Sequence, residues 1–222
     1  MKDLEKVRNK IAYVSQYDDL SAKSTVEEIF YFVANMTYSN EFTPRQIDET
    51  VDNVIIALRL EKVRNTKIGN VTKRGLSGGE KKRVSIGCEL IGSPSLLFMD
   101  EPTTGLDAST ALEVMEIARI LANQNKTIIT TIHQPSFEIL NCFDDILCLL
   151  KGHIIYWGPP KGIPGYFANI GLMMPPMTNP ADYIMRIVNE SDIMIENRKR
   201  RRDVKLNLKK NTVVSSTDKS HK

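Results

Sequence analysis

The residues best suited to do chemistry lie between Gly75 and Asp107. Gly75-Leu76-Ser77-Gly78-Gly79-Glu80 is a glycine-rich turn, Leu96-Leu97-Phe98-Met99 is an apolar run that ends in the acid pair Asp100-Glu101, and Thr104-Gly105-Leu106-Asp107 is a second turn. Ser77 and Glu80 have the spacing of a capping box, and Gly78 and Gly79 let the backbone approach a ligand closely. A helix starting there aims free N–H groups and the positive end of its dipole at an anion. An aspartate at the carboxyl end of a strand, where α/β sheets hold ligands, can hold Mg²⁺, and the neighbouring glutamate is placed to polarise a water. Each piece alone also has a plain reading. The turn fits an ordinary capped helix with a solvated basic face, and the acids fit a strand end that opens a turn at Pro102.

These groups need a frame of strands and helices, and the surrounding pattern supplies one. Val84, Gly87, Cys88 and Ile91 recur at helical spacing, which predicts a helix from about Glu80 to Gly92. Lys81, Lys82 and Arg83 fall in its first turn, where cations oppose the dipole and a bound phosphate would remove the conflict. Leu96 to Met99 suits a central parallel strand buried on both faces. Asp107 reads as the N-cap of a helix to about Asn123, with Ala111, Met115, Ala118 and Ala122 on one face. Thr127 to Ile132 is β-branched and apolar, a second central strand with His133 at its carboxyl end.

Upstream, Ile11 to Ser15 reads as a short strand followed by Gln16, and residues 24–74 read as helical. Ser24-Thr25-Val26-Glu27-Glu28 offers two overlapping capping boxes, and Thr43-Pro44-Arg45-Gln46 offers another with proline at the first helical position. Helices near 25–38 and 43–60 follow from these starts. Downstream, Ser136 can cap a helix, strands are expected near 144–150 and 153–157 around a Lys151-Gly152 turn, and helical segments near 162–170 and 180–189.

Composition bounds the rest. A chain of 222 residues with 41% hydrophobic content can form one domain with a sizeable core. The net charge of +3 is uneven: residues 196–222 hold ten Lys/Arg against three Asp/Glu, so the body before them is mildly acidic. That tail lacks apolar periodicity and is expected to be disordered; on charge alone it also admits a nuclear signal or a nucleic-acid patch. Cys88, Cys142 and Cys148 lack metal-ligand spacing and read as buried free thiols in a reducing compartment. The charged first residues do not read as a signal peptide, and no apolar run approaches the ~18 residues a membrane helix needs. His153 and His221 are assigned no role.

Leu76-Ser77-Gly78-Gly79-Glu80, Phe98-Met99-Asp100-Glu101-Pro102, Thr104-Gly105-Leu106-Asp107 and His133, in that order, resemble the nucleotide-binding domain of an ABC transporter. His133-Gln134-Pro135-Ser136 and Asn179-Pro180-Ala181-Asp182-Tyr183 resemble the White, or G, subfamily of half-transporters, and the likeness covers roughly residues 8–190. The resemblance implies an α/β fold: a P-loop NTPase-like ABC ATPase core, a mostly parallel sheet flanked by helices, with a helical subdomain at about 21–74 and a basic linker from 191 to 222. It implies ATP and Mg²⁺ as cofactors and ATP hydrolysis coupled to substrate export across a membrane. By resemblance Glu101 is the general base, Asp100 and Gln16 serve the metal, His133 holds the γ-phosphate, and Ser77, Gly78 and Gly79 donate to a partner's nucleotide. Asp107 would contact the opposing subunit, with helix capping as the alternative. Implied partners are a second nucleotide-binding domain and a transmembrane domain, with no nucleic acid, and the implied place is the cytoplasmic face of a membrane. Basic residues after 197 would suit anionic lipid headgroups there.

The sequence departs from that pattern in one respect: no G-x-x-x-x-G-K-[S/T] phosphate loop occurs in it. An N-terminally truncated domain is the expectation, and autonomous ATP binding is in doubt. A soluble ABC-type ATPase, or a non-catalytic module that lends only its LSGGE face to a partner, are the alternatives.

Overall fold

The computed structural model describes residues 10–38, 41–70, 74–150 and 152–189, so the basic tail lies outside the described residues. The chain divides after His133 into two compact units.

The first unit is built on three parallel strands in the order β1 (Ile11–Val14), β2 (Leu96–Asp100) and β3 (Thr127–Thr131). The register places Val14 beside Met99, and Asp100 beside Thr131. β2 is central, as its composition predicts, but its burial alternates. Leu97 and Met99 are fully buried, whereas Leu96, Phe98 and Asp100 are half-buried. The expectation of burial on both faces is therefore met on one face only. β3 differs more. Instead of a second central strand it is an edge strand among the described residues, with Ile129 half exposed. A β-branched run reports what packs well on a pleated surface, not how many neighbours the strand has.

Among the described residues four α-helices accompany this sheet: α1 (Val26–Tyr38), α2 (Pro44–Ala57), α3 (Gly78–Leu90) and α4 (Ala108–Asn123). Side chains start most of them. Thr43 caps α2 in a reciprocal box with Gln46, and Pro44 takes the first turn. Of the two boxes expected before α1, only Thr25–Glu28 forms; Ser24 turns back to Ser21 instead, and the Glu27 N–H is taken by the Arg64 carbonyl. α1 packs against α3 at Gly87, where a Cβ would overlap the Phe30 ring and lie 2.8 Å from Leu58 Cδ1. Arg64 ties the start of α1 to α2 through Glu27 (2.6 Å) and Asp52 (2.7 Å).

The second unit contains α5 (Phe137–Leu140), an antiparallel hairpin of β4 (Ile146–Leu150) and β5 (His153–Gly158), α6 (Ile163–Ala168) and α7 (Pro180–Asn189). Its core gathers Leu150, Ile155, Phe167, Tyr183 and Ile187. Ser136 caps α5. Asn179 caps α7 through Oδ1 to the Ala181 N–H (3.0 Å), and its Nδ2 donates to the Pro135 carbonyl (3.0 Å). The stretches Gln134-Pro135-Ser136 and Asn179-Pro180-Ala181-Asp182-Tyr183 are thus joined by a hydrogen bond that neither reveals in sequence. Among the described residues no helix is long and apolar enough to cross a membrane.

Candidate functional site

Parallel pairing puts the ends of β1, β2 and β3 side by side, and the polar residues expected to do chemistry fall at those ends. Asp100 closes β2. Its Oδ1 accepts from Thr131 Oγ1 at 2.6 Å and its Oδ2 from Tyr13 Oη at 3.1 Å. That bond, with some desolvation, holds the Tyr13 phenol above its usual range. Glu101 follows with φ 44°, a left-handed backbone rare outside glycine, and its N–H donates to Thr131 Oγ1 at 3.0 Å. One hydroxyl, that of Thr131, therefore links the side chain of one acid to the backbone of the next.

Gln16, just beyond β1, reaches the same place: its Nε2 donates to Glu101 Oε2 at 2.9 Å. Thr104 Oγ1 donates to that same oxygen, also at 2.9 Å. Both bonds converge on Oε2, and among the described residues Oε1 accepts no hydrogen bond. His133 is exposed, just past the end of β3.

The glycine turn is the start of α3. Ser77 is its N-cap, with Glu80 N donating to Ser77 Oγ (3.3 Å) while Glu80 Oε2 accepts from Ser77 N and Oγ (both 2.8 Å). Capping satisfies the third helical N–H and leaves those of Gly78 and Gly79 without an intrahelical acceptor. Asp107 caps α4 by accepting from Thr110 N (3.0 Å) and Thr110 Oγ1 (2.6 Å), and these bonds lower its carboxyl below the usual range. The two helix starts touch. A Cβ on Gly78 would sit 3.0 Å from Leu106 Cδ2, and one on Gly79 would overlap Thr110 Cγ2. The close approach that Gly79 permits is therefore to its own chain, at the side where α4 begins.

The basic residues of α3 depart from expectation most. Lys82 and Arg83 do not form a solvated face: they are 3% and 8% exposed. Lys82 Nζ pairs with Asp18 (2.7 Å) and donates to the carbonyls of Gln16 (3.0 Å) and Ser15 (3.2 Å); Arg83 pairs with Glu113 of α4 (2.6 Å). The helix-dipole conflict is resolved by internal acceptors, so these residues do not require a phosphate. The sequence holds a signal for this. Gly79, Lys82, Arg83, Ile86, Gly87 and Leu90 follow the helical period and are all buried. Tyr13, Thr104 and Thr131 carry no such signal, and sequence reasoning misses them.

The donor set fits Mg²⁺: carboxylate, amide and hydroxyl oxygens are the hard ligands it takes, one or two from protein and the rest from phosphate and water. Among the described residues no group of three His, Cys, Asp or Glu is placed to hold a metal ion. The cysteines form no disulfide, and burial pushes Cys88 up to about 12 and Cys148 up to about 11, so neither is a nucleophile near neutral pH.

A family model described as ABC transporter matches residues 1–104, and one described as ABC-2 type transporter matches residues 133–210. The chain is 42% identical over 177 residues to the broad substrate specificity ATP-binding cassette transporter ABCG2 of Sus scrofa, covering 80% of this chain and 27% of that protein. It is 41% identical to ABC transporter G family member 13 of Arabidopsis thaliana (80% of this chain, 26% of that protein) and 39% identical to ATP-binding cassette sub-family G member 8 of Homo sapiens (82% and 27%). The chain spans about a quarter of the length of these curated relatives. Among solved structures, cbiO1 from Clostridium perfringens, part of the ABC transporter complex cbiONQ, superimposes with a TM-score of 0.60 at 28% identity, covering 77% of this chain and 65% of that one.

Proposed function

From the premise that this chain belongs to the ABC transporter family, in its G branch, we propose that it binds and hydrolyses ATP to drive substrate export across a membrane. The ATPase-type domain is its family inheritance; hydrolysis, export and the partners are the proposal. The observation that carries it is the convergence on Glu101 Oε2 of Gln16 and Thr104, beside an Asp100 oriented by Thr131.

Each residue then has a task. Asp100 and the Gln16 amide oxygen would hold Mg²⁺. Glu101 Oε1 accepts a proton from the attacking water, general-base help typically worth ~10²–10⁴-fold. His133 steadies the γ-phosphate. When bound, Mg-ATP supplies the anhydride that breaks, and catalysis is mostly positioning and charge stabilisation. Ser77 Oγ and the unpaired N–H groups of Gly78 and Gly79 face the nucleotide of a second nucleotide-binding domain, with Asp107 at the same contact. A transmembrane domain would take up the motion, which places this chain on the cytoplasmic face, with residues 21–74 as the helical subdomain and 191–222 as the linker.

A second reading has its own observation. The sequence has no G-x-x-x-x-G-K-[S/T], so the chain alone would supply LSGGE to a partner's nucleotide and hydrolyse nothing itself. Membership of the G branch argues against a soluble ABC-type ATPase.

The test concerns Ser77. Ser77→Asp with Glu80→Gln keeps a good N-cap and a neutral box partner, yet sets a carboxylate against the γ-phosphate. The 222-residue chain should associate, in Mg-ATP, with an intact nucleotide-binding domain that has its own phosphate loop. The double variant should melt normally and fail to associate by light scattering. Normal association by the folded variant would reduce LSGGE in this chain to a helix cap.

A further inference from the structure

Lys82 is the most buried cation among the described residues, and its partners belong to the loop that carries Gln16. Its ammonium donates to the Ser15 carbonyl at 3.2 Å and the Gln16 carbonyl at 3.0 Å, and it pairs by charge with Asp18 Oδ1 at 2.7 Å. We propose that Lys82 is a positioning residue for Gln16, fixing the loop after β1 so that the Gln16 amide reaches Glu101.

The coupling runs along a continuous set of bonds. Two consecutive carbonyls and the carboxylate two residues further on are pinned to one ammonium, which leaves the loop little freedom at Gln16. From that pinned backbone the Gln16 side chain extends to Glu101 Oε2. Lys82 lies little more than one turn into α3, the helix that Ser77 caps. A displacement of α3 is therefore passed to Gln16 through Lys82, and from Gln16 to Glu101. In the functional reading proposed above, which this inference rests on, Ser77 serves the partner's nucleotide and Gln16 serves the chain's own metal and water. Lys82 then connects what happens at one nucleotide to the geometry at the other.

Removing Lys82 alone would leave Asp18 unpaired in a half-buried place, and an orphaned charge can cost enough to unfold the chain. The informative variant is Lys82→Met with Asp18→Asn, which removes the clamp and the orphan together; Lys82→Arg tests rescue. On the full chain without nucleotide, nuclear magnetic resonance should show an Overhauser contact between the Gln16 side-chain amide and Glu101 in the wild type. The double variant should melt within a few degrees of wild type, keep the Ser77–Glu80 signals and lose that contact, while Lys82→Arg keeps it. Persistence of the contact in the folded double variant overturns the proposal; if the double variant unfolds, the same two substitutions in a thermally stabilised background decide by the same criterion. In the second arm, association with an ATP-loaded intact domain should shift the Gln16 amide signals of the wild type and not those of the double variant. Equal shifts in both overturn transmission through Lys82. Failure of the wild type to associate overturns the functional reading and the transmission built on it, while the nucleotide-free contact still decides separately whether Lys82 clamps the loop.

Discussion

Glu101 holds a backbone conformation that most residues avoid, and the surroundings specify why it persists. Its N–H is bound by Thr131, and its carboxylate by Gln16 and Thr104, so the left-handed φ of 44° is over-determined by three contacts. Replacement by glutamine preserves this frame, because an amide oxygen still accepts from Gln16 and Thr104 while basicity is lost. With a phosphate loop supplied upstream and a second domain present, Glu101→Gln should reduce hydrolysis by ~10²–10⁴-fold and leave nucleotide binding intact. Steady-state turnover and nucleotide titration check this together, and unchanged turnover removes Glu101 as the base. The positions of the acids, Ser77 and Asp107 are legible in the sequence because a cap or a strand end is set by neighbours in the chain, whereas Gln16, singled out by resemblance, meets Glu101 across 85 residues. Thr131 and Tyr13 are not legible, because they meet Asp100 across 31 and 87 residues. Only the strand register makes those pairs, and no short-range pattern encodes it.

At the scale of elements, the start of α3 is a packing problem as much as a ligand problem. Gly79 abuts Thr110, and Thr110 is held by Asp107 through both its N–H and its hydroxyl. A methyl at position 79 forces either the helix or the Thr110 rotamer to move, so Gly79→Ala should destabilise by about 1–3 kcal/mol, as overpacking does. Thr110→Ser removes the offending Cγ2 and keeps the hydroxyl that donates to Asp107 Oδ2. Gly79→Ala combined with Thr110→Ser should recover most of the loss and add the ~0.5–1 kcal/mol that alanine gains over glycine in a helix. Chemical denaturation of the two variants measures it, and equal stability of single and double variants would rule out the steric account. Helix starts are legible here to within a residue or two, since Ser77, Thr43, Asp107 and Ser136 cap where their spacing says. Lys82 and Arg83 mislead for an instructive reason. Residue type says solvent, helical phase says interior, and the interior wins because Asp18, Glu113 and two carbonyls wait there.

At the scale of the molecule, the 222 residues gather Gln16, Asp100 and Glu101 at the ends of neighbouring strands, and no G-x-x-x-x-G-K-[S/T] occurs among them. Carboxylates and amides at strand ends hold a metal only weakly without phosphate oxygens to complete its shell. The 222-residue chain by itself should therefore bind Mg-ATP weakly or not at all, and micromolar affinity in equilibrium dialysis would contradict this. The order of strands has a different, practical implication. β3 has a neighbour on one side only among the described residues, its Ile129 is half exposed, and its sequence Thr-Ile-Ile-Thr-Thr is uncharged and rich in β-branched residues. Such an edge can template the backbone of another chain, the first step towards fibrils, unless a charge or a covering segment guards it. Ile129→Lys would act as a gatekeeper: concentrated samples should show slower growth of thioflavin-positive aggregates than wild type, with melting nearly unchanged. Equal aggregation rates would shift suspicion to the exposed Leu147, Leu149 and Trp157 of the hairpin. If Ile129→Lys does slow aggregation, the strand whose Thr131 orients Asp100 and Glu101 also sets how long the purified chain stays in solution.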